Sequence, residues 1–395
     1  MHNKLSSPEL KKKIKNLSGS KGMSAFTAAL LAIVLGLIFG FIIMIVASPE
    51  NSLSGFGMVL LGGFSRLGDV FYFATPILMT GLAVGFAFKM GLFNIGAAGQ
   101  YTMGMFCALY VGFMWDLPVG VHWVACIVAG MLGGMIWGFV PGILKATMNV
   151  NEVITSIMFN YIGMYLVDMW IQDNATMYVS AKTRTNYLPQ SAQIPSLGVA
   201  NSNVNVSIII AIVIAIILYI VLNKTTFGYE LKATGYNKNA STYAGMNQKR
   251  NIILTMVIAG GMAGLGGAFA ILAPSTIAGS SMTYEPISVI AANGFTGIAV
   301  ALLGASNPVG IIFSAVFISY IQRGGTLATM FGYKPEIIDI VIAVIIYFSA
   351  FAILMQSTLA KSLRKFTRGK VKESNANANN ANAGPAVADK KKEEV

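Results

Sequence analysis

The stretch MSAFTAALLAIVLGLIFGFIIMIVA, residues 23–47, decides the fold class, because none of its residues is charged. A bilayer core of about 30 Å needs roughly 20 apolar residues in a helix. Within one segment, only a helix pairs all of its backbone polar groups in that environment. The run is also longer than the apolar part of a secretory signal peptide, and no clear cleavage site follows it. We therefore predict a membrane-spanning helix here.

The composition of the whole chain extends this prediction. Of its 395 residues, 55% are hydrophobic and 11% are charged, and the mean hydropathy is +0.68. A soluble domain usually has about a quarter charged residues, and a disordered chain is poor in apolar residues. Both classes are excluded. The expected fold is an all-α, polytopic integral membrane helix bundle.

Windows of suitable length and hydropathy recur along the chain and predict about ten transmembrane helices. A shorter apolar segment, residues 52–64, is predicted to be interfacial or re-entrant. Together these segments define a transmembrane domain over residues 23–357. The predicted spans lie near 23–47, 70–88, 91–114, 119–140, 151–171, 204–222, 252–273, 287–304, 308–322 and 337–356.

The distribution of Lys and Arg predicts the orientation. Six of the 27 lie in the first 21 residues, five between Lys224 and Arg250, and nine from Lys361 onward. Cytoplasmic loops are enriched in these residues, and an even number of crossings places all three groups on one side. Both termini and the loop 223–251 are therefore expected to be cytoplasmic, and the loop 172–203 extracellular. Because the net charge of +12 sits in separate loops, it does not indicate a nucleic-acid surface.

The two ends of the chain are polar. Residues 1–22 form a basic cytoplasmic segment. Residues 358–395 form a basic tail that becomes rich in Asn and Ala and then in Lys and Glu. The tail has no apolar periodicity, so we expect it to be disordered and cytoplasmic.

The segment FGYELKATGYNKNASTYAGMNQKRN, residues 227–251, is too polar to cross the membrane. Its small and apolar residues recur at helical spacing, which an irregular loop would not show. We expect a helix continuing from the sixth span, a turn permitted by Gly235, and a second short helix capped by Asn237. Tyr243 would point outward from this second helix. The pattern fits docking into a groove of a soluble partner, and it also fits an amphipathic helix on the membrane surface, which periodicity alone favours.

Sequence signals for catalysis are missing. There is no GxxxxGK[ST], HExxH or GxSxG motif and no paired intramembrane acid. Cys107 and Cys126 lie in apolar runs, and two histidines are too few for a histidine-based metal site. We therefore expect no enzyme activity, no cofactor and no metal in this chain.

Neutral polar side chains within apolar surroundings are candidates for a solute path. A buried amide without a partner is costly, so each must face another helix or a wet cavity. Hydrogen bonds between helices are the alternative to a path for uncharged hydroxylated solutes. The amides are Asn94, Gln100, Asn160 and Asn293, and the neighbouring aromatic residues are Phe93, Tyr161 and Phe295.

Ionisable side chains lie near the predicted span ends, where they can reach the interface by snorkelling. No carboxylate lies clearly at mid-span, which weighs against an ion-coupled secondary transporter as one alternative function. A membrane enzyme or scaffold is a further alternative. These ionisable residues are Lys89, Lys145, Glu152, Asp168, Glu285 and Asp339.

The cytoplasmic segment resembles the loop of ABC importer permeases, in which G-x-x-L-[RK]-A-x-G-x-N…A-A-x-x-[AS]-G forms the coupling helix. Ser241 stands where the family often has a second Ala. The resemblance implies a surface that couples to a cytoplasmic ATPase and includes Tyr243. The matching residues are Gly228, Leu231, Lys232, Ala233, Gly235, Asn237, Ala240 and Gly245.

Three further segments resemble the nucleoside and simple-sugar branch of these permeases, a branched-chain amino acid/ribose-type family. GLFNIGAAGQ (91–100) resembles its FNIG-A-E-GQ signature, with Ala98 in place of the frequent Glu. NEVITSIMFNYI (151–162) resembles N-E-V-x-x-x-x-M-x-N-Y. GFTGIAVALLGASNPVG (294–310) resembles G-F-x-G-I-A-V-A-L-L-G-x-x-N-P. Four motifs in the same order make the resemblance specific over about residues 70–350.

The resemblance implies a permease subunit that forms the translocation path for nucleosides or related simple sugars. Its implied partners are cytoplasmic ABC ATPase subunits, a second permease subunit and an extracellular substrate-binding lipoprotein. The implied location is the plasma membrane of a bacterium, with several membrane crossings and contact with lipid.

Overall fold

The computed structural model describes residues 21–199, 202–275, 277 and 280–348, with side chains from residue 33 onward. The chain divides into two compact units. One comprises residues 1–33 and 348–395, and its described part is the first half of a helix together with Phe348. The other is Val34–Tyr347. The basic segment before residue 21 and the predicted disordered tail lie outside the described residues.

The described part of the chain is mostly helical. The first half contains six helices, and the short second one is followed by a 3-10 turn at Gly62–Arg66. They are α1 (Lys21–Ala47), α2 (Ser52–Leu61), α3 (Leu67–Lys89), α4 (Ala97–Met114), α5 (His122–Met148) and α6 (Glu152–Gln172).

The second half begins with a loop that carries a two-stranded antiparallel hairpin, β1 (Tyr178–Val179) and β2 (Arg184–Thr185). Tyr178 lies opposite Thr185 in this hairpin. Seven helices follow. They are α7 (Ser207–Lys224), α8 (Thr226–Tyr236), α9 (Lys238–Tyr243), α10 (Gln248–Ile271), α11 (Ala292–Leu303), α12 (Pro308–Ala328) and α13 (335–348).

By length and composition, six described segments could cross a membrane, so the chain is a helical membrane bundle. Each of the ten predicted spans overlaps a helix, but Ile33–Ala47 and Ala292–Leu303 are shorter apolar helices. The count of ten crossings therefore stays a prediction. The six segments are Ser52–Lys89, His122–Met148, Glu152–Gln172, Ser207–Lys224, Gln248–Ile271 and Pro308–Phe331.

Close helix crossings form the core. Gly134 on α5 faces the backbone of Gly260 and Gly264 on α10, with no room for a side chain at the contact. Small residues let helix backbones approach in this way in membranes. These glycines therefore pack helices against each other within one chain.

Asparagine side chains fix the starts of several helices. The Oδ1 atom of Asn151 accepts a hydrogen bond from Val153 N at 2.9 Å at the start of α6. Asn247 and Asn307 cap α10 and α12 in the same way, each at 3.0 Å. An N-cap side chain satisfies a backbone donor that the helix leaves free. These local bonds set where the helices enter the bundle.

Helix α11 is too short to span a bilayer. Its 12 residues cover about 18 Å at 1.5 Å per residue. The predicted span began at residue 287, whereas residues 282–291 form neither helix nor strand. Gly294 packs against Ala98 in the first turn of α4, and Gly297 packs against Thr80, midway along α3. The helix therefore begins inside the bundle, beside the centre of α3.

Candidate functional site

The predicted coupling segment contains two separate helices. Helix α7 ends at Lys224, and Thr225 adopts an extended conformation. The Thr225 hydroxyl accepts a hydrogen bond from Gly228 N at 3.1 Å and so starts α8. The prediction that the sixth span continues into this segment as one helix was wrong, because Thr225 breaks the helix and caps the next one.

Gly235 has a different role from the predicted turn. It lies within α8, and a Cβ atom there would come 2.8 Å from the carbonyl carbon of Met90. Only a residue without a side chain lets α8 approach the end of α3 this closely. Gly235 therefore sets the distance between α8 and the residues around Lys89.

Helix α9 is the exposed part of the segment. The Asn237 side chain accepts a hydrogen bond from Ala240 N at 3.0 Å, which confirms the predicted cap. Ser241 is buried, whereas Ala240 is exposed and Tyr243 is 95% exposed. Gly245 then takes a left-handed conformation, with a φ of 80°, and ends the segment. Exposed aromatic residues are enriched at protein–protein interfaces, and Tyr243 presents one here.

The nine predicted coupling residues fall into three groups by exposure. Gly228 and Leu231 are buried, and Lys232 and Ala233 are half-buried. The buried pair holds α8 in place, so contact with a partner is possible mainly at the exposed group. The exposed residues are Gly235, Asn237, Ala240, Tyr243 and Gly245.

Three of the predicted path residues form hydrogen bonds within the protein. The side chains of Asn94 and Gln100 are buried and bond to each other twice, at 2.9 and 3.1 Å. Asn160 accepts a hydrogen bond from Gly99 N at 2.7 Å and donates one to Ile95 O at 3.1 Å. These amides hold the segment before α4 against α6, as expected for bonds between helices.

Asn293 joins three helices at the start of α11. Its Nδ2 atom donates to the hydroxyl of Tyr101 on α4 at 2.9 Å, and its carbonyl accepts from the Thr80 hydroxyl on α3 at the same distance. Asn293 remains partly exposed, whereas Tyr101 and Thr80 are buried. The contact therefore places a half-exposed amide midway along the bundle.

Two predicted aromatic residues lie on the exposed surface at this level. Asn160 and Gly294 contact Gly99 and Ala98, which are neighbours in the first turn of α4. Their sequence neighbours Tyr161 and Phe295 are 46% and 42% exposed. Both rings therefore lie near the level of Asn293. Phe93, by contrast, stacks on Phe88 with a centroid distance of 5.3 Å and is half-buried.

Asp168 fixes the segment that leads into α11. Its carboxylate accepts a hydrogen bond from the Tyr284 hydroxyl at 2.6 Å and another from Ser288 N at 2.8 Å. Burial raises the pKa of Tyr284, and the bond to Asp168 raises it further, so the tyrosine stays a protonated donor. The prediction that Asp168 snorkels to the interface was wrong, because the residue is 4% exposed.

Sequence reasoning missed Thr80, Tyr101 and Tyr284 as members of these contacts. Each is a common residue in an apolar or loop context, and its partner lies about 100 to 200 residues away. No local pattern identifies such pairs. Within the described ranges, no three His, Cys, Asp or Glu side chains are grouped so that they could hold a metal ion.

The helical fold and the position of the exposed polar segment together indicate the class of this protein. The chain is a multi-pass helical membrane protein with a helix that begins inside the bundle and a polar helical segment exposed at one end. The chain belongs to the branched-chain amino acid transport system / permease component family, whose model matches residues 66–350.

Several named relatives are similar to this chain. The guanosine ABC transporter permease protein NupP of Bacillus subtilis is 36% identical over 371 residues, which cover 90% of this chain and 99% of the relative. The nucleoside ABC transporter permease protein NupB of Lactococcus lactis is 36% identical over 84% of this chain and 93% of its own length. The Bacillus subtilis guanosine permease NupQ is 23% identical over 67% of this chain and 84% of its own length. No solved structure matches the chain significantly.

Proposed function

We propose that this chain is the permease subunit of an ABC importer for nucleosides. The similarity to NupP and NupB over most of the chain supports the transported class, since both names state a nucleoside or guanosine permease. The chain itself is not an enzyme, and ATP hydrolysis belongs to a separate ATPase subunit. Its location is the plasma membrane of a bacterium.

The observation that carries this proposal is the short helix α11 with the irregular segment 282–291 before it. Backbone without regular structure is tolerated at membrane depth where protein buries it or where it lines a wet cavity. Residues Ile287, Ser288 and Val289 are exposed, directly before a helix that begins midway along the bundle. Transporters commonly build their solute sites at such discontinuous helices. The solute path therefore runs beside Asn293, Tyr161 and Phe295.

The buried amides have a structural role beside this path and do not face the solute. Asn94 and Gln100 bond to each other, and Asn160 bonds to the backbone of Ile95 and Gly99, so these amides hold the start of α4 in place. Asn293, Tyr161 and Phe295 offer one amide and two aromatic rings to a solute. A nucleoside base can stack on such rings and bond to such an amide.

The proposal includes three partners. ATPase subunits dock on α9, and a binding lipoprotein delivers the solute at the opposite face. A second permease completes the path, as suggested by NupP and NupQ, two guanosine permeases of one organism that both resemble this chain. The predicted orientation agrees, because it places α9 in the cytoplasm.

The energy source tests the proposal directly. Cells that express the complete system should accumulate radiolabelled guanosine, and uptake should stop when ATP is depleted while the proton gradient is kept. An uncoupler with ATP maintained should leave initial uptake nearly unchanged. Uptake that survives ATP depletion and collapses with the uncoupler would identify an ion-coupled carrier and refute the proposal.

A matched pair of variants tests the path. Tyr161→Ala should lower nucleoside uptake about tenfold or more, since stacking on a ring contributes about 1–3 kcal/mol per base where nucleic acids bind. Tyr219→Ala removes a ring of similar exposure from α7, whose other large exposed apolar residues are aliphatic, and should leave uptake unchanged. Equal uptake by both variants would show that Tyr161 does not contact the solute on its path.

A further inference from the structure

A cavity of about 350 Å³ lies where α8 approaches the end of α3. Its walls come from four places in the chain and include Lys89, Asn223, Lys232, Tyr236 and Asn307. These residues lie at the end of α3, the end of α7, within α8 and directly before α12. The cavity therefore adjoins the exposed coupling helix α9, which follows Tyr236 by two residues.

Two lysines give this cavity an uncompensated positive charge. The Nζ atom of Lys89 lies 3.4 Å from the carbonyl oxygen of Ala305, and that of Lys232 lies 3.5 Å from Asn223 Oδ1. Both contacts are long and involve neutral oxygens. No acidic residue lines the cavity. Within the described ranges, the cations in ion pairs are Arg66, Lys145 and Arg323, and neither cavity lysine is among them.

The two lysines are held together by the backbone. Gly235 packs directly on Lys89 and Met90, and this contact fixes α8 against α3. Like charges placed close together and partly desolvated are unfavourable. An anion entering the cavity would relieve that cost. The fold therefore maintains a cationic recess that a negatively charged group would stabilise.

We propose that this recess binds an acidic side chain of the ATPase subunit. The proposal rests on the function proposed above and names one contact of that partner. Tyr236 at the edge of the recess is 91% exposed, and Tyr243 on α9 is 95% exposed. Exposed aromatic residues beside a buried charge contact are typical of protein–protein interfaces. The recess and α9 thus form one continuous docking surface.

Carbodiimide cross-linking of the purified importer tests the contact. This reagent joins an amine to a carboxylate only when the two groups touch. Mass spectrometry should detect an amide bond from Lys89 or Lys232 to one Asp or Glu of the ATPase. Cross-links from Lys224, an exposed lysine outside the recess, serve as the background measurement. A link from Lys224 without any link from Lys89 or Lys232 would overturn the proposal.

Charge removal tests the energetic importance of the recess. Lys89→Gln and Lys232→Gln should each weaken association with the identified ATPase about tenfold, since one partner of a charge pair at the interface is lost. Lys224→Gln should leave association unchanged. High salt should weaken the wild-type complex more than the Lys89→Gln/Lys232→Gln complex. Size-exclusion profiles in detergent should show that each variant folds.

The possible outcomes separate the two proposals. If no ATPase associates with the wild-type permease, the proposed function fails. If the ATPase associates and the lysine variants bind it with wild-type affinity, only the recess proposal fails. If those variants retain the ATPase but lose co-purified anionic phospholipid, the recess binds a lipid headgroup and the proposed contact is wrong.

Discussion

Asp168 shows how one buried carboxylate positions a segment that has no secondary structure of its own. It binds Tyr284 and Ser288, and residues 282–291 reach the start of α11 through these contacts. The hydrogen bond from Gln172 Nε2 to Pro286 O, at 3.0 Å, adds a second attachment to α6. The position of Asn293 therefore depends on polar contacts near the end of α6.

Replacing Asp168 should loosen this segment. Asp168→Ala leaves the Tyr284 hydroxyl and Ser288 N without their acceptor. The loss at the partly buried tyrosine costs about 1–3 kcal/mol, whereas Ser288 is exposed and can bond to water instead. We expect a lower thermal unfolding temperature in detergent and reduced uptake. Asp168→Asn keeps one acceptor oxygen and should have a smaller effect.

Asp173→Ala is the matched control, because Asp173 is exposed at the end of the same helix. It should unfold at the wild-type temperature. If Asp168→Ala also keeps that temperature, the segment before α11 is held by contacts other than this carboxylate.

At the scale of single elements, α9 depends on its cap. A helix of six residues is marginal by itself, so the bond from Ala240 N to Asn237 is a large part of its stability. Asn237→Ala should destabilise α9 by about 1 kcal/mol. If α9 couples to the ATPase, ATP-driven uptake should fall severalfold while insertion and unfolding temperature stay unchanged.

Asn51→Ala provides the comparison. Asn51 is exposed at the N-cap position of α2, outside the docking surface, and its side chain makes no cap hydrogen bond, so this variant should transport at the wild-type rate. Equal uptake by both variants would show that the cap has no part in coupling. Loss of membrane insertion in Asn237→Ala would instead indicate a folding role.

Elements defined by local patterns were predictable, and those defined by distant contacts were not. The cap at Asn237 joins residues three positions apart, so the sequence predicted it. The long apolar windows likewise predicted where helices lie in the chain. The burial of Asp168 depends on Tyr284, which lies 116 residues away. The short α11 was missed because hydropathy indicates membrane depth but does not distinguish helix from extended chain. The same holds for Gly235, whose role depends on Met90.

For the whole molecule, the predicted orientation can be measured with single cysteines. After Cys107 and Cys126 are replaced by Ala, Ser180→Cys should react with an impermeant maleimide in intact cells, because the loop after α6 is predicted to be extracellular. Tyr243→Cys should react only in inside-out vesicles. Both side chains replaced are exposed.

Other labelling patterns would revise the topology. The opposite pattern would mean that the orientation is inverted. Labelling of both sites from one side would mean that the number of crossings between residues 180 and 243 is even. Uptake by the cysteine-free parent should be retained, since Cys126 is buried and Cys107 is half-buried in the apolar part of the bundle.

Helix α11 links two regions of the bundle. Its first residues touch Thr80 and Tyr101, and the turn after its last residue contributes Ala305, which accepts from Lys89. A helix of three turns, about 18 Å long, is stiff. A displacement of one end of α11 would therefore displace the other end as well. Helix α11 is thus a direct covalent connection between the Lys89 end of the bundle and the space beside Asn293.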